Sequence, residues 1–353
     1  MSTETETRID FGRRTRVVRP GPWSGRIDVR STVVCLVLAA ITAAVAVLAL
    51  GSGDYYVPPG QVVQALFGDV PARIHMVVVE WRLPRVLLAI LLGAALGMSG
   101  AIFQSLTRNP LGSPDIIGFN SGAYTGALVV ILIVGGSYYQ VGAGALIGGV
   151  ATAAAVYLLA YKRGVQGFRL IIVGIGISAM LASVNTWLIL MADLETAMSA
   201  AVWGAGSLGS LGWSQVGPVT ILLLVLVPAI LVLGRRMRML EMGDDAAKAL
   251  GVRAEPTRLG LVVLGVALTA LVTAAAGPIG FVSLAAPQLA RRLTRSAGVA
   301  LVPAAVMGAA LLTVSDVVAQ RAFAPHQLPV GVVTVSIGGV YLAWLLAREA
   351  RRQ

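Results

Sequence analysis

Side chains that could carry out chemistry are few and scattered in this chain of 353 residues. The two histidines, His75 and His326, fall in different loops, and the single cysteine, Cys35, lies inside an apolar run. The sequence therefore offers no metal-ligand cluster and no pair of thiols for a disulfide. It also contains no nucleophile elbow, no carboxylate pair at a useful spacing and no P-loop. We predict a chain that is not an enzyme, binds no metal or cofactor, and does not itself hydrolyse ATP by the P-loop route.

The most informative segment is a polar insert at residues 240–252, LEMGDDAAKALGV, between two apolar runs. Asp244 and Asp245 lie toward its front and Lys248 toward its back, which matches the dipole of a short helix, and Gly251 suits its end. A plain connector would be shorter, so we favour a docking helix for a soluble cytoplasmic partner over a solvated connector. The helix would present a small apolar face made of Ala246, Ala247, Ala249 and Leu250.

Two arginines, Arg82 and Arg85, stand beside Trp81 and Pro84 at the start of another apolar run. One interpretation is that they anchor the chain at the membrane interface together with Trp81. The other is that they pair with acidic residues of an external partner, because the guanidinium group matches a carboxylate. Both interpretations can hold.

Four further features interrupt the apolar pattern. Asn185 within an apolar run predicts an interhelical hydrogen bond or, less simply, a residue that lines a pathway. Asp316 is ionisable and should pair or reach the interface. A candidate inner constriction of the pathway is formed by Gln166, Gly167 and Phe168. Residues 108–115 have the composition of a tight turn, and we assign them no chemistry.

The composition places the chain in a membrane. It is 57% hydrophobic and only 12% charged, with a mean hydropathy of +0.84, whereas soluble domains contain about 25% charged residues. The apolar runs are continuous and do not alternate, which indicates helices rather than a β-barrel. The 41 glycines suit close contact between helices in lipid.

We predict an all-α polytopic membrane protein with about ten transmembrane helices. The eighth is short and begins with Gly277-Pro278-Ile279-Gly280, so the seventh and eighth could instead form one broken unit. The predicted helices cover about 20 residues each, at 31–51, 84–106, 116–135, 141–161, 168–191, 216–234, 258–276, 280–294, 299–319 and 329–347.

The basic residues orient this stack. If the N-terminus is inside, 23 of the 27 Lys and Arg residues fall in inside segments, and only Arg73, Arg82, Arg85 and Arg321 fall outside. The positive-inside rule then places both termini in the cytoplasm. The same distribution explains the net charge of +11 as a topology signal, which argues against nucleic-acid binding.

The chain divides into two parts. Residues 1–30 are polar and rich in arginine, which predicts a disordered basic cytoplasmic arm without a cleavable signal. Residues 31–353 form a single transmembrane domain that carries the insert at 240–252.

Five stretches resemble one known family. They are RLPR at 82–85, GAALGMSGAIFQSLTRNPLGSPDIIGFNSGA at 93–123, GDDAAKALGV at 243–252, AGPIGFVSLAAPQLAR at 276–291 and LPVGVVTVSIGG at 328–339. In sequence and in order along the chain, these stretches are similar to motifs of the iron-siderophore and vitamin B12 class of ABC importer permeases, the FecCD family. The resemblance covers nearly all of the chain after residue 50.

This resemblance implies a set of partners. The family assembles two permease subunits around a central path, two copies of a cytoplasmic ATPase that bind ATP and Mg, and an extracytoplasmic binding protein. Arg82 and Arg85 match arginines that receive glutamates of the binding protein. The residues that match the ATPase-coupling helix are Gly243, Asp244, Ala246, Ala247, Ala249, Leu250, Gly251 and Val252.

Departures from the family pattern narrow the match. Gln288 stands where the family commonly has histidine, and Gln320 stands where it commonly has a third docking arginine, a role that Arg321 would then take. These variations are similar to a subgroup that imports catecholate-type ferric siderophores and pairs with a different second permease. The resemblance thus implies a ferric-siderophore permease that works by alternating access in the cytoplasmic membrane. A cobalamin or haem importer is the alternative within the class, and an ion-coupled secondary transporter is the alternative outside it.

Overall fold

The structure is a computed structural model that describes residues 15–18, 25–53, 55–115, 117–161 and 167–350. Within these residues the chain forms fourteen α-helices and one two-stranded antiparallel sheet. The strands are β1 (Thr15–Val18) and β2 (Gly25–Asp28). The helices are α1 (Val29–Gly51), α2 (Pro59–Phe67), α3 (Ala72–His75), α4 (Leu83–Thr107), α5 (Phe119–Val129), α6 (Tyr138–Ala160), α7 (Gly167–Met191), α8 (Leu194–Gly204), α9 (Trp213–Glu241), α10 (Asp244–Ala249), α11 (Ala254–Ala276), α12 (Val282–Thr294), α13 (Leu301–Arg321) and α14 (Val330–Ala350).

Two stretches of π-helix extend these elements. Met76–Arg82 leads into α4, and Val130–Val134 continues α5. Among the described residues, seven helical segments are long and apolar enough to cross a membrane, namely Ala72–Thr107 together with α1, α6, α7, α9, α11 and α13.

The three remaining predicted spans coincide with α5, α12 and α14, so each predicted apolar run corresponds to a helix. The eighth predicted span, which we expected to be short, corresponds to α12, which has only 13 residues. At 1.5 Å per residue it is about 20 Å long, whereas the apolar layer of a bilayer is about 30 Å thick. Residues 277–281 separate α12 from α11.

The prediction of a disordered arm over residues 1–30 is wrong for the eight residues of β1 and β2. These strands pair antiparallel, with Thr15 opposite Asp28 and Val18 opposite Gly25. Valine and isoleucine in the two strands favour extended backbone, and this local preference outweighs the polar composition. Asp28 then begins α1 as its N-cap, with its side chain accepting a hydrogen bond from the Ser31 N–H at 3.1 Å. Residues 1–14 and 19–24 lie outside the described residues.

Helix α4 is the centre of the bundle. In the most apolar window of the segment Ala72–Thr107, 78% of the residues are buried. Glycines let α13 approach its backbone: a Cβ added at Gly97 would lie 2.1 Å from the Ala304 carbonyl oxygen, and one at Gly93 would lie 2.5 Å from that of Gly308. Small residues at such crossings are what allows dispersion contacts between helices in lipid.

Helices α1, α7 and α9 lie at the periphery. Only 17%, 11% and 17% of their apolar windows are buried within this chain. Their exposed side chains include Leu36, Ile175 and Leu224. Such apolar surfaces face lipid or another membrane subunit, because water contact would be unfavourable over this area.

The short helix α12 starts beside the C-terminal third of α4. Gly100 leaves no room there, since a Cβ would lie 1.7 Å from the Ser283 carbonyl oxygen. One turn further along α4, the Gln104 side chain donates a hydrogen bond to the Leu284 carbonyl oxygen at 2.9 Å. The start of α12 is therefore held against α4 by both packing and a buried polar contact.

We expect Gly100→Ala to destabilise the bundle, because the added methyl group meets backbone that cannot rotate away. Overpacking of this kind costs about 1–3 kcal/mol. Gly217→Ala on α9 is the matched control, because nothing lies within 4 Å of the added carbon, and it should leave stability unchanged or slightly higher. Thermal unfolding of the detergent-solubilised protein, followed by size-exclusion fluorescence, measures both. Equal melting temperatures for the two variants would contradict the close α4–α12 contact.

Candidate functional site

The polar insert forms a helix, α10, between two glycines with left-handed backbone. Gly243 has φ +115° and Gly251 has φ +81°, a region that side chains with a Cβ resist. The two glycines set off the six residues of α10 from α9 and α11. The prediction that a short helix occupies the insert and that Gly251 ends it is therefore confirmed.

Asp244 joins α10 to two other helices. Its carboxylate accepts hydrogen bonds from Arg258 of α11 at 2.9 and 3.0 Å and from Arg108 at 2.9 Å. Arg108 ends α4 in a left-handed conformation and also donates to the Leu240 carbonyl oxygen at 2.8 Å. Burial raises the pKa of Asp244, but the two guanidinium groups outweigh it and hold that pKa below its ordinary value. We call the arrangement of Asp244, Arg108 and Arg258 the arginine clamp.

The contacts of Asp244 show which side of α10 faces the bundle and which side faces away from it. Ala247, three residues after Asp244 and so on the same side of the helix, is fully buried in the core of this chain, and Val252 is 8% exposed. The predicted apolar face is therefore wrong for Ala247, because its position packs α10 onto the bundle and no partner can reach it. The side that faces away from the bundle carries Asp245, Ala246, Lys248, Ala249 and Leu250.

Residues 108–115, which we predicted to be a tight turn without chemistry, join the end of α4 to α5 and to α12 through side-chain hydrogen bonds. Asp115 is the centre of this connection. It accepts hydrogen bonds from the Asn120 side chain of α5 and from the Ser283 hydroxyl of α12, the latter at 3.0 Å. The Gln288 side chain of α12 also donates to the Pro110 carbonyl oxygen at 2.7 Å. In the sequence, Asp115 is an acidic residue among turn formers. This pattern does not reveal that its partner Ser283 lies 168 residues later in the chain.

At the opposite end of the bundle, Arg85 makes a buried ion pair. It donates to Asp316 of α13 at 2.8 and 3.0 Å, and Asp316 also accepts from Gln320 at 2.8 Å. The side chains of Arg85 and Asp316 are 14% and 3% exposed. The expectation that Asp316 pairs is confirmed, and its partner is one of the three arginines predicted to meet an external protein.

All three predicted docking arginines, Arg82, Arg85 and Arg321, line a small cavity of about 270 Å³ at this end. Arg82 donates to the carbonyl oxygens of Leu50 and Tyr55 at 2.8 and 2.7 Å, which holds the connection between α1 and α2. Arg321, at the end of α13, is exposed and makes no ion pair with another described residue. Of the three predicted docking arginines, Arg321 is exposed, whereas Arg82 and Arg85 are half-buried.

The predicted pathway residues that the structure describes do not form one site. Gln166 lies outside the described residues, Gly167 begins α7 against the backbone of Thr107, and Phe168 is 74% exposed. Asn185 is 6% exposed and accepts a hydrogen bond from Thr125 of α5 at 2.6 Å. Its contact is the interhelical hydrogen bond, the simpler of the two roles expected for it.

Replacing Asp244 by Asn should loosen α10, because the arginine clamp loses its charge. We expect faster amide hydrogen exchange in α10 for Asp244→Asn. We expect no change for Asp245→Asn, because the Asp245 side chain is fully exposed and its ion pair with Lys248 is long, at 3.8 Å. Because the pKa of Asp244 is lowered on folding, the clamp stabilises α10 above the unfolded value of about 3.9 and is lost as the pH falls through the lower folded value. Equal exchange in both variants would contradict this role.

Comparison with known proteins agrees with the geometry. The model of the FecCD transport family matches residues 40–348. The chain is 51% identical over 324 residues to the ferric enterobactin transport system permease protein FepG of Escherichia coli (strain K12), covering 92% of this chain and 98% of FepG. It is 37% identical over 325 residues to the probable siderophore transport system permease protein YfhA of Bacillus subtilis (strain 168), covering 90% and 95% of the two chains.

The fold has a counterpart among solved structures. An ABC transporter of the metal-chelate type, solved in an inward-facing conformation, superimposes with a TM-score of 0.80 at 28% identity, covering 90% of this chain and 99% of that one. The family inferred from the five sequence motifs is thereby confirmed. The chain belongs to the FecCD transport family and is a membrane-embedded permease subunit of an ABC importer, a transport component that works with an ATPase and a binding protein and is not an enzyme.

Proposed function

We propose that this permease carries a ferric siderophore of the catecholate type inward across the cytoplasmic membrane. The observation that carries the proposal is the 51% identity to FepG over 98% of that protein, whose cargo is ferric enterobactin. The chain contributes no covalent step. It offers a path whose inner and outer ends open alternately, and differential binding of partners to the two states drives the change.

The proposed topology has ten membrane segments and both termini in the cytoplasm. The distribution of basic residues supports it, because the segments that this topology places inside hold 23 of the 27 Lys and Arg residues. In the structure, α10 with Arg108 and Arg258 lies at the end of the bundle opposite to Arg82, Arg85 and Arg321. The short helices α5 and α12 count among the ten although neither is long enough to cross the bilayer unaided. Their polar ends are covered by protein instead of lipid, as the bilayer requires.

At the cytoplasmic end, the exposed side of α10 would seat in a groove of the ATPase, which holds the ATP and Mg. Ala246, Ala249 and Leu250 supply small and apolar contacts on that side. Movement of α10 would reach the transport path through the arginine clamp, since Arg108 begins the loop that carries Asp115. Asp115 in turn holds α5 and α12.

At the external end, Arg321 is the docking residue best supported by the geometry, with Arg82 beside it at the same cavity. Arg85 is less suited to direct docking, because Asp316 already holds its guanidinium group. A glutamate of the binding protein would have to compete with a partner that is 3% exposed. Arg85 therefore fixes α4 to α13 below the docking surface.

The second permease subunit is proposed to be a different chain. Helix α7 is the surface best placed to face that subunit or the transport path. Within the described residues α7 buries only Leu170, Gly174 and Asn185. Its outer surface includes Met180, Trp187 and Leu190, which are 70%, 59% and 78% exposed. A helix this apolar and this exposed fits a protein or lipid neighbour.

Reconstituted uptake tests the cargo. We expect vesicles that contain this chain, its genomic partner permease, the ATPase and the binding protein to accumulate a radiolabelled ferric tris-catecholate on ATP addition. Labelled cobalamin and haem should stay outside. Leu250→Asp should remove the ATP-driven component, because an unpaired charge in a groove is strongly unfavourable, whereas Leu250→Met should retain it. Uptake of cobalamin or haem in preference to the catecholate would assign the alternative cargo.

Docking at Arg321 gives a separate expectation. A rim ion pair contributes about 1 kcal/mol or less, which corresponds to about fivefold in affinity. Arg321→Glu should therefore weaken binding of the external protein by about that factor at low salt, and added salt should reduce the difference. Arg73→Glu is the charge-matched control, since Arg73 lies on α3 and contacts Tyr55 instead of the cavity. Equal affinities for the two variants would remove Arg321 from the docking surface.

A further inference from the structure

A second cavity, of about 700 Å³, lies at the α10 end of the bundle, between the end of α9, the start of α1 and the loop that joins α12 to α13. We call it the headgroup cavity. Three charged residues of α9 line it, namely Arg235, Arg238 and Glu241, and so does Leu231. The transport function described above uses none of these four side chains.

Glu241 is the unusual member of this set. Its Oε1 atom is buried and has no hydrogen-bond partner among the described residues. Its Oε2 atom packs against Gly298, where an added Cβ would lie 2.5 Å away. A buried carboxylate oxygen without a donor is unfavourable, so this site is suited to a ligand that donates hydrogen bonds and carries positive charge.

Arg235 and Arg238, in contrast to Glu241, are suited to a negatively charged ligand. Both are exposed and neither forms an ion pair within the part of the chain that the structure describes. Guanidinium groups three residues apart on one helix face the same neighbour, and such a pair suits a phosphate. Asp28 also lines the cavity, where its carboxylate caps α1. The cavity thus offers the two guanidinium groups as donors for an anion and the Glu241 carboxylate as an acceptor for a cation.

The order of these side chains along α9 matches the order of groups in a phospholipid. Leu231, Arg235, Arg238 and Glu241 follow at intervals of three or four residues and so form one stripe. With a rise of 1.5 Å per residue the stripe is about 15 Å long. Leu231 lies deepest and is 48% exposed, and Val302 of α13 on the same cavity is 54% exposed. From the membrane interior outward the chain therefore presents apolar surface, then two cations, then an anion.

We propose that the headgroup cavity binds a zwitterionic phospholipid with a primary ammonium group, of the phosphatidylethanolamine type. The acyl chains would lie along Leu231 and Val302, the phosphate would bind Arg235 and Arg238, and the ammonium would donate to Glu241. A phosphatidylglycerol headgroup leaves the buried carboxylate without a cation, and a quaternary choline cannot donate the hydrogen bond that Oε1 lacks. A basic side chain of a partner protein would meet two arginines at the entrance.

Native mass spectrometry of the complete transporter tests the proposal. The complex would be purified from vesicles with equal amounts of phosphatidylethanolamine, phosphatidylcholine and phosphatidylglycerol, and the lipids retained per complex counted. We expect phosphatidylethanolamine to be retained preferentially. Glu241→Gln should reduce that preference by about tenfold, as for the loss of one charge-assisted hydrogen bond. Replacing Arg235 and Arg238 together by Gln should reduce retention of every phospholipid.

Arg236→Gln is the matched control, because Arg236 is an exposed arginine of the same helix that does not line the cavity. It should retain lipid as the unaltered protein does. Equal retention of the three lipids, an unchanged preference in Glu241→Gln, or exclusion of all lipid by the bound ATPase would each overturn the proposal. None of these results depends on which cargo the transporter carries, so failure here is distinguishable from failure of the proposed cargo.

Discussion

The structure depends on one constraint: wherever a helix is interrupted inside the bundle, the protein itself must satisfy the exposed backbone groups, because lipid cannot. The interruptions lie before α5 and before α12. Gln104 and Gln288 donate to backbone carbonyl oxygens there, and Asp115 accepts from the side chains at the start of both helices. Glycine at position 100 brings α4 close enough for these contacts to form. The deep crossing of α4 and α13 is the scaffold on which they rest.

The two ends of the bundle use arginine in different ways. At the α10 end, Asp244 is shared by two arginines and remains 38% exposed on its side chain, so that the contact is strong and still within reach of a partner. At the opposite end, Arg85 and Asp316 are both largely buried, and such a pair fixes geometry without adding much net stability. Loss of either member would strongly destabilise the protein, because the other charge would remain buried without a partner.

Much of the fold could be predicted from the sequence, because hydropathy fixes where apolar helices lie and each of the ten predicted runs coincides with a helix. The α10 insert was equally clear, since acidic residues, a lysine and a terminal glycine have local meaning. The side of α10 that faces the bundle was not, because the choice between Ala246 and Ala247 depends on packing with α9 and α11. The pairing of Arg85 with Asp316, 231 residues later in the chain, and the contacts of Asp115 depend on tertiary structure in the same way. The β1–β2 hairpin was missed because composition describes an average and two short strands need only local preference.

The arginine clamp has a mechanical consequence. A six-residue helix between two glycines would by itself be a compliant joint, able to absorb a push by bending or melting at either end. Asp244 is bound to the end of α4 and to α11, and Ala247 is packed in the core. Helix α10 is therefore held rigidly against two membrane helices and cannot bend or melt without breaking these contacts. Force applied to its outer side would therefore be transmitted to α4 and α11 instead of being absorbed by bending of α10.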